Sequence, residues 1–366
     1  MLDSLDQFDA SEKDRTRVVA AFQTPPPGGQ PAERNQVDHW ESAVEADPGG
    51  SFAFDEQGMA SLGGLAAGRF ETLSMAELRR RSGRSATGKV RLWVLDGTHP
   101  LTDIGALQAQ APPGSLFQVA SQFNCLESPG VYVVRVADYF FDPTQGPRAS
   151  ISAYPGTLLR HYRAPGRDGQ PFVQRSAGPQ INLLHAVEAP VQSGYLLGHN
   201  ISDPAALVAR LESDFELLEV GVHQGLEVVL GANWDGPVRP QVRIAQVFTS
   251  TLAAGGYGRL DDSLLPVCRQ LLRAAYLGTL LAAAGQKQRR VVLTLIGGGV
   301  FDNPLPLIWE SILWALDQVT PHLSGDLTVI VNGRTLIPQV SAEEVRAQAR
   351  ARGGELLLCY PSGVRF

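Results

Sequence analysis

The 366-residue sequence predicts an α/β protein, a three-layer arrangement in which helices cover both faces of a mixed, largely parallel sheet. Three observations carry this expectation. Short β-branched or apolar runs alternate with helical patterns through most of the chain. In the C-terminal half the order is strand, long helix, strand, helix, strand, helix, strand, which implies right-handed crossovers between parallel strands. Finally, 44% hydrophobic and 19% charged residues are ordinary for a globular chain, while 38 Gly and 25 Pro make it rich in loops.

Taken in order, residues 1–50 stand apart. A short helix is expected at 11–22, followed by a Pro- and Gly-rich run at 24–29 and a polar, acidic stretch to 50. With little to bury and many breakers, this segment reads as an N-terminal arm, flexible, poorly ordered or loosely docked. Residues 51–366 read as one enlarged α/β domain. Strands are expected at 90–95, 116–120, 131–137, 226–230, 242–249, 290–296, 327–331 and 355–359, most of them bounded by Gly, Asn or Asp. Helices are expected at 74–81, 148–162, 204–218, 264–284, 304–318 and 341–352, with Pro155-Gly156 kinking or splitting the second. Residues 163–178 read as a long surface loop.

A net charge of −6 without a basic block argues against general nucleic-acid binding and against anionic membranes, yet leaves room for a local basic pocket. Cys125, Cys268 and Cys359 are too few and too scattered for a disulfide framework or a cysteine metal site. The acidic start lacks a secretory signal, and the longest apolar run, 274–284, is short and broken by Gly278 and Thr279. A cytoplasmic protein is expected, with no cofactor and no metal, and the oligomeric state is left open.

Among the motifs, Gly83-Arg-Ser-Ala-Thr-Gly88-Lys89 has phosphate-loop spacing, but Val90 replaces the Ser or Thr that would hold Mg²⁺. It also follows a helix and leads into a strand, the reverse of the required context, and reads as a solvated turn. The run Leu293-Thr-Leu-Ile-Gly297-Gly298-Gly299-Val300-Phe301-Asp302-Asn303-Pro304 is more informative. A buried strand ends in three glycines before a helix with Asn303 as its expected cap, so backbone amides and a helix N-terminus are offered to an anion such as a diphosphate. A turn serving only strand–helix packing is the alternative. Three further loops share this character. The first, Ser121-Gln122-Phe123-Asn124-Cys125-Leu126-Glu127, gathers polar groups suited to a ribose, and the second, Asp142-Pro-Thr144-Gln145-Gly146-Pro147, opens a helix. The third follows a strand with Thr249-Ser250-Thr251 and a glycine cluster.

If the strands are parallel, these loops and Asn332-Gly333 emerge at carboxyl ends, where open α/β sheets bind ligands. No nucleophile elbow, zinc motif or cysteine pair is present, and the seven His are dispersed. Cys125, without an identifiable base, reads as a small buried residue. Glu127 and Asp302 are the carboxylates nominated for acid–base or water-positioning work. Tyr154, Tyr257 and Phe301 are the aromatics nominated for stacking on a base or ribose.

The strand–loop–helix at 291–316 resembles the phosphate-binding loop and last major helix of macrodomains, ADP-ribose-binding α/β domains. The helix at 264–284 looks like the one preceding that strand. Phe117-Gln-Val-Ala-Ser-Gln-Phe-Asn-Cys-Leu-Glu127 and Thr144-Gln-Gly-Pro147 stand where macrodomains carry an Asn-containing turn and a glycine-rich ligand loop. Together with Gln180-Ile-Asn-Leu-Leu184 they are similar to a divergent macrodomain-like group, over about residues 70 to 335. Gln122 and Asn124 replace the usual double Asn, Thr144-Gln145-Gly146-Pro147 replaces a glycine triplet, and the paired glutamates of poly(ADP-ribose) glycohydrolases are absent. The resemblance implies binding of ADP-ribose, a related nucleotide or an ADP-ribosylated target, with hydrolysis of an ADP-ribosyl linkage as the associated reaction. It places the diphosphate on Gly297, Gly298, Gly299, Val300, Phe301, Gln145 and Gly146, with Thr144, Ser250 and Asn303 beside it. The distal ribose falls near Gln122, Asn124 and Glu127. Two rivals stand beside this reading: a non-catalytic macrodomain-like scaffold or partner-binding module with a degenerate pocket, which a cleft plugged by side chains such as Phe301 and Tyr257 would mark, and an unrelated α/β hydrolytic enzyme acting on a peptide or nucleoside.

Overall fold

A computed structural model of the chain describes residues 1–22, 33–231, 238 and 240–366. The Pro- and Gly-rich run at 24–29 lies outside the described residues. The chain begins with a 3₁₀ turn at Leu2–Leu5, helices α1 (Glu12–Ala21) and α2 (Glu33–Ala46), and strands β1 (Phe52–Phe54), β2 (Ala60–Leu62) and β3 (Leu65–Ser74). Then come α3 (Met75–Ser82), β4 (Val90–Asp96), α4 (Ile104–Ala109), β5 (Ser115–Ala120), a 3₁₀ helix at Val136–Phe141, α5 (Gln145–Ser152) and α6 (Tyr154–Tyr162). Two short hairpins follow, β6 (Ala164–Pro165) with β7 (Pro171–Phe172) and β8 (Val191–Gln192) with β9 (Tyr195–Leu197), before α7 (Pro204–Ser213), β10 (Glu219–Val228), β11 (Val242–Thr249) and β12 (Leu252–Ala253). The chain ends with α8 (Leu265–Gly285), β13 (Arg290–Thr294), α9 (Leu305–Val319), β14 (Leu327–Asn332), α10 (Ala342–Ala351), β15 (Leu356–Tyr360) and β16 (Gly363–Arg365).

Among the described residues the main sheet has 11 strands in the order β1-β2-β3-β10-β11-β5-β13-β14-β4-β15-β16. Its centre, from β11 to β15, is parallel, and both flanks are antiparallel. Two glutamines show that helices cover both faces. Gln118 in β5 points to one face, where its Nε2 donates to the Ala275 carbonyl of α8 at 3.2 Å. Gln246, one register step away on β11, points to the other and donates to the Ala149 carbonyl of α5 at 3.0 Å. Each buried amide is thus matched to a helix backbone, which fixes the helix against its face of the sheet.

Two expectations are corrected. The described parts of the N-terminal segment are built into the body: Leu2 and Leu5 are fully buried, and Phe8 packs edge-on against Trp93 with ring centroids 4.8 Å apart. The Trp93 indole N–H donates to the Leu5 carbonyl at 3.1 Å. On α2, the buried Glu41 carboxylate accepts from the Val136 and Ala137 amides at 2.6 and 2.8 Å and from the Tyr162 hydroxyl at 2.9 Å. Few apolar residues suffice here because they are spaced to face inward. The run at 131–137 is β-branched but forms no strand. Its amides are taken by side chains instead, Val133 by Ser176, Val134 by Ser128, Val136 and Ala137 by Glu41, so no ladder is available to it. The helix expected at 148–162 is indeed split, with Ala153 between α5 and α6.

Candidate functional site

Because β11, β5, β13 and β14 are parallel neighbours, the loops leaving their carboxyl ends meet at one edge of the sheet. They enclose a cleft of about 570 Å³, to which the N-terminus of α5 and the β8–β9 hairpin also contribute. This is the size of a small-molecule site.

The glycine loop forms one wall. It closes on itself through Gly298 N–H to the Leu295 carbonyl at 2.9 Å, Asp302 N–H to Gly299 at 3.0 Å and Asn303 N–H to Gly297 at 2.9 Å. The amides of Gly297, Gly299, Val300 and Phe301 are left without a hydrogen-bond partner among the described residues. Gly297 adopts φ +75°, which favours glycine. Gly298 has a different reason to be small: a Cβ there would stand 2.6 Å from Leu305 Cδ2, on the side of α9. Its amide is also used within the loop, so Gly298, although it lines the cleft, offers it no free donor. Gly299 faces open space.

Opposite lies the first turn of α5. Thr144 is its N-cap without a side-chain cap bond, and the amides of Gln145 and Gly146 have no partner among the described residues. The Gln145 side chain is committed elsewhere, accepting from the Ile104 amide at 2.9 Å. Between these walls, Ser250 Oγ, Thr294 Oγ1 and Asn332 Oδ1 are buried without a partner and belong to residues lining the cleft. Buried polar atoms are normally paired, and these three have no partner among the described residues.

Glu127 lines the cleft at 4% exposure. Burial pushes its carboxyl well above the usual carboxylate range, with Asp142 adding to the rise and Arg160 opposing it. Ser150 Oγ donates to Oε1 at 3.4 Å and itself accepts from Arg160 Nη2 at 3.3 Å. Arg160 is fully buried, held by the Cys125 carbonyl at 2.6 Å and by the Phe248 ring, 3.7 Å from its guanidinium. Cys125 is fully buried, and this burial raises its thiol. The second carboxylate at the cleft is Asp142, partly exposed, with Oδ1 accepting from the Thr144 amide at 2.9 Å.

Tyr195, Tyr257 and Phe301 pack together with centroids 5.0 to 5.7 Å apart and form an aromatic wall. They border the cleft without filling it, so these side chains do not plug the opening. The Tyr257 hydroxyl donates to the Pro129 carbonyl at 3.0 Å. The walls are joined. Ala254 N–H donates to the Phe301 carbonyl at 3.1 Å, and β12 pairs with β9, which carries Tyr195.

The remaining nominated residues support the loops and leave the ligand space to others. Gln122 lines the cleft, but its amide both donates to and accepts from the Ser128 backbone, at 3.1 and 2.9 Å. Asn124 is buried outside the cleft, bonded to Gln180, Ser193 and the Leu126 amide. Asn303 does not cap α9, whose N-cap is Pro304. Its Nδ2 ties Leu252 to Phe301 and its Oδ1 accepts from Thr251. Asp302 is exposed, has φ 48° and is not among the residues that line the cleft. Tyr154 lies in the second core cluster, with its hydroxyl accepting from Gln36. Asp142 and Arg334 were not nominated, though Asp142 opens a loop singled out in the sequence and Arg334 directly follows Asn332-Gly333.

No family model matches the chain, and no curated protein is similar to it. Solved structures that it is similar to include poly(ADP-ribose) glycohydrolases. That from Thermomonospora curvata is 12% identical at a TM-score of 0.42, over 88% of this chain and 100% of that one. That from Deinococcus radiodurans in complex with ADP-ribose is 14% identical at a TM-score of 0.44, over 77% of this chain and 94% of that one. The Thermomonospora curvata enzyme bound to the inhibitor ADP-HPD is 14% identical at 0.40, over 88% and 100%. Among the described residues no helix is long and apolar enough to cross a membrane, and no group of three or more His, Cys, Asp or Glu is placed to hold a metal ion.

Proposed function

We propose that the cleft binds ADP-ribose or a closely related nucleotide and hydrolyses an ADP-ribosyl linkage. The observation that carries the reading is the pairing, across one cleft, of four free amides on the glycine loop with the two free amides that open α5. Such donor sets hold a diphosphate without a metal. The unpartnered Ser250, Thr294 and Asn332 atoms supply partners for ribose hydroxyls, and the aromatic wall gives a ring a face to lie on.

The chemistry follows from the two carboxyl groups. Glu127, kept neutral by burial, gives its proton to the leaving oxygen as that oxygen's bond to the ribose C1 breaks. Water oriented by Asp142 adds to C1 and passes its proton to that carboxylate. Free amides and the α5 N-terminus stabilise the diphosphate while positive charge builds on the sugar. This assignment keeps Glu127 and replaces Asp302 by Asp142.

Calorimetric titration with ADP-ribose, NAD and ATP tests the binding, and release of ADP-ribose from an ADP-ribosylated protein tests the reaction. ADP-ribose is expected to bind best of the three. Absence of heat from all of them at millimolar concentration sinks the reading.

A further inference from the structure

The break at Ala153 lets α5 and α6 each bring a polar side chain behind the Glu127 carboxyl, Ser150 from the first and Arg160 from the second. Ser150, Thr157 and Arg160 are fully buried there, so the direction of each hydroxyl hydrogen can be assigned. A guanidinium only donates. Arg160 Nε donates to the Cys125 carbonyl at 2.6 Å, and its Nη2 to Ser150 Oγ at 3.3 Å and Thr157 Oγ1 at 3.5 Å. Thr157 spends its one hydrogen on the Ser150 carbonyl at 2.6 Å. Ser150, its oxygen taken by the guanidinium, has one acceptor left for its hydrogen among the described residues, Glu127 Oε1 at 3.4 Å. Oε1 is therefore an acceptor. The other oxygen, Oε2, accepts no hydrogen bond among the described residues and lies against the first turn of α5, 2.7 Å from where a Cβ on Gly146 would stand.

Resting on the reading of Glu127 as the acid of the cleft, we propose that Ser150, turned by Arg160, is a positioning residue that keeps Glu127 Oε1 an acceptor and so holds the transferable proton on Oε2. When that O–H bond breaks, its electron pair stays on Oε2 and the proton joins the leaving oxygen. The new carboxylate charge is then met by Arg160 through the Ser150 hydroxyl. The other groups around the carboxyl leave this role to Arg160. Asp142, ahead of α5, opposes ionisation of Glu127, and Arg160 favours it. The Tyr139 hydroxyl, which accepts from the Glu127 amide at 3.0 Å, the Tyr195 hydroxyl on β9 and the Cys125 thiol are all raised by burial and stay neutral near neutral pH.

The test follows the Glu127 carboxyl across pH in the full chain by NMR of labelled glutamate, its signal assigned by its loss in Glu127→Gln. Beside it are set kcat and KM for release of ADP-ribose from an ADP-ribosylated protein, and the melting temperature. Ser150→Ala is expected to raise the pH at which Glu127 ionises and to move the alkaline fall in rate the same way. It should lower kcat by about tenfold at unchanged KM, as for loss of a hydrogen bond to a charged group. Ser150→Thr, which restores a hydroxyl, should recover most of the loss. Arg160→Met should raise the ionisation further, since the charge goes with the bond. It also frees the Cys125 carbonyl, so the Ser150 variants carry the test if it does not fold. A Glu127 signal that titrates alike in the wild type and in Ser150→Ala overturns the proposal. So does a rate loss that follows the melting temperature and is not recovered by Thr, which would mark a merely structural serine. If the Glu127 titration shifts as expected while none of the proteins hydrolyses the linkage, the positioning role stands and the hydrolytic reading of the cleft falls.

Discussion

The backbone of Gly146 lies directly against the Glu127 carboxylate: a Cβ at position 146 would stand 2.7 Å from Glu127 Oε2 while also striking the Ala120 carbonyl. The first turn of α5 and the acid of the cleft therefore share one space, and only a hydrogen fits between them. Gly146→Ala is expected to displace Glu127 and to cost about 1–3 kcal/mol by overpacking. Its hydrolytic rate should fall well before its affinity for ADP-ribose does. Equal activity in the two proteins, measured with folded material, would separate Glu127 from the reaction.

The carboxylates are told apart by substitution. Glu127→Gln should lower the rate of ADP-ribosyl hydrolysis by about 10²–10⁴-fold, the usual contribution of a positioned acid. Asp142→Asn should reduce it as well, whereas Asp302→Asn, altering an exposed group outside the cleft, should leave it unchanged.

The pH dependence follows from the direction of the Glu127 shift. The protonated form acts, so the rate should fall as pH rises through the raised carboxyl value. The sign for stability is the same. The folded chain keeps this proton after the unfolded chain has released it near 4.5, so stability is lost as pH rises above that value. Glu127→Gln should remove this part of the loss, read as urea midpoints across pH.

Neighbouring glycines should respond differently. Gly299→Glu sets a carboxylate in open space beside free amides and should weaken ADP-ribose strongly while leaving the melting temperature nearly unchanged. Gly298→Glu drives a side chain against Leu305 and Ile308, so it should destabilise the fold. Calorimetry paired with thermal melts distinguishes the two.

Glu41 offers a test away from the cleft. Glu41→Ala leaves the Val136 and Ala137 amides and the Tyr162 hydroxyl without their acceptor, and should cost about 2–4 kcal/mol in urea denaturation. A variant as stable as the wild type would mean that α2 is not held through this residue.

What the sequence disclosed and what it concealed have physical reasons. Continuous apolar strands and long amphipathic helices made β4, β5, β11, β13, β14 and the helices between them readable, and with them the edge where the loops converge. Glycine and polar loops then marked the cleft. The orientation of single side chains was beyond reach, because Gln122, Asn124 and Asn303 have the same composition whether they bond a ligand or their own loop. Asp302 and Asp142 flank equally suggestive motifs, and only the path of each turn shows which one faces inward. Helix α2 was hidden because its stabilising contacts come from residues a hundred positions away.

The joined walls of the cleft have a consequence for how binding is communicated. The Ala254–Phe301 hydrogen bond and the β12–β9 pairing couple the glycine loop to the Tyr195 strand, although these lie about a hundred residues apart in sequence. A ligand that stills Phe301 should therefore slow amide hydrogen exchange at Leu196 and Leu197 as well as at Ala254, giving the empty and occupied cleft an exchange signature that reaches beyond the residues in contact.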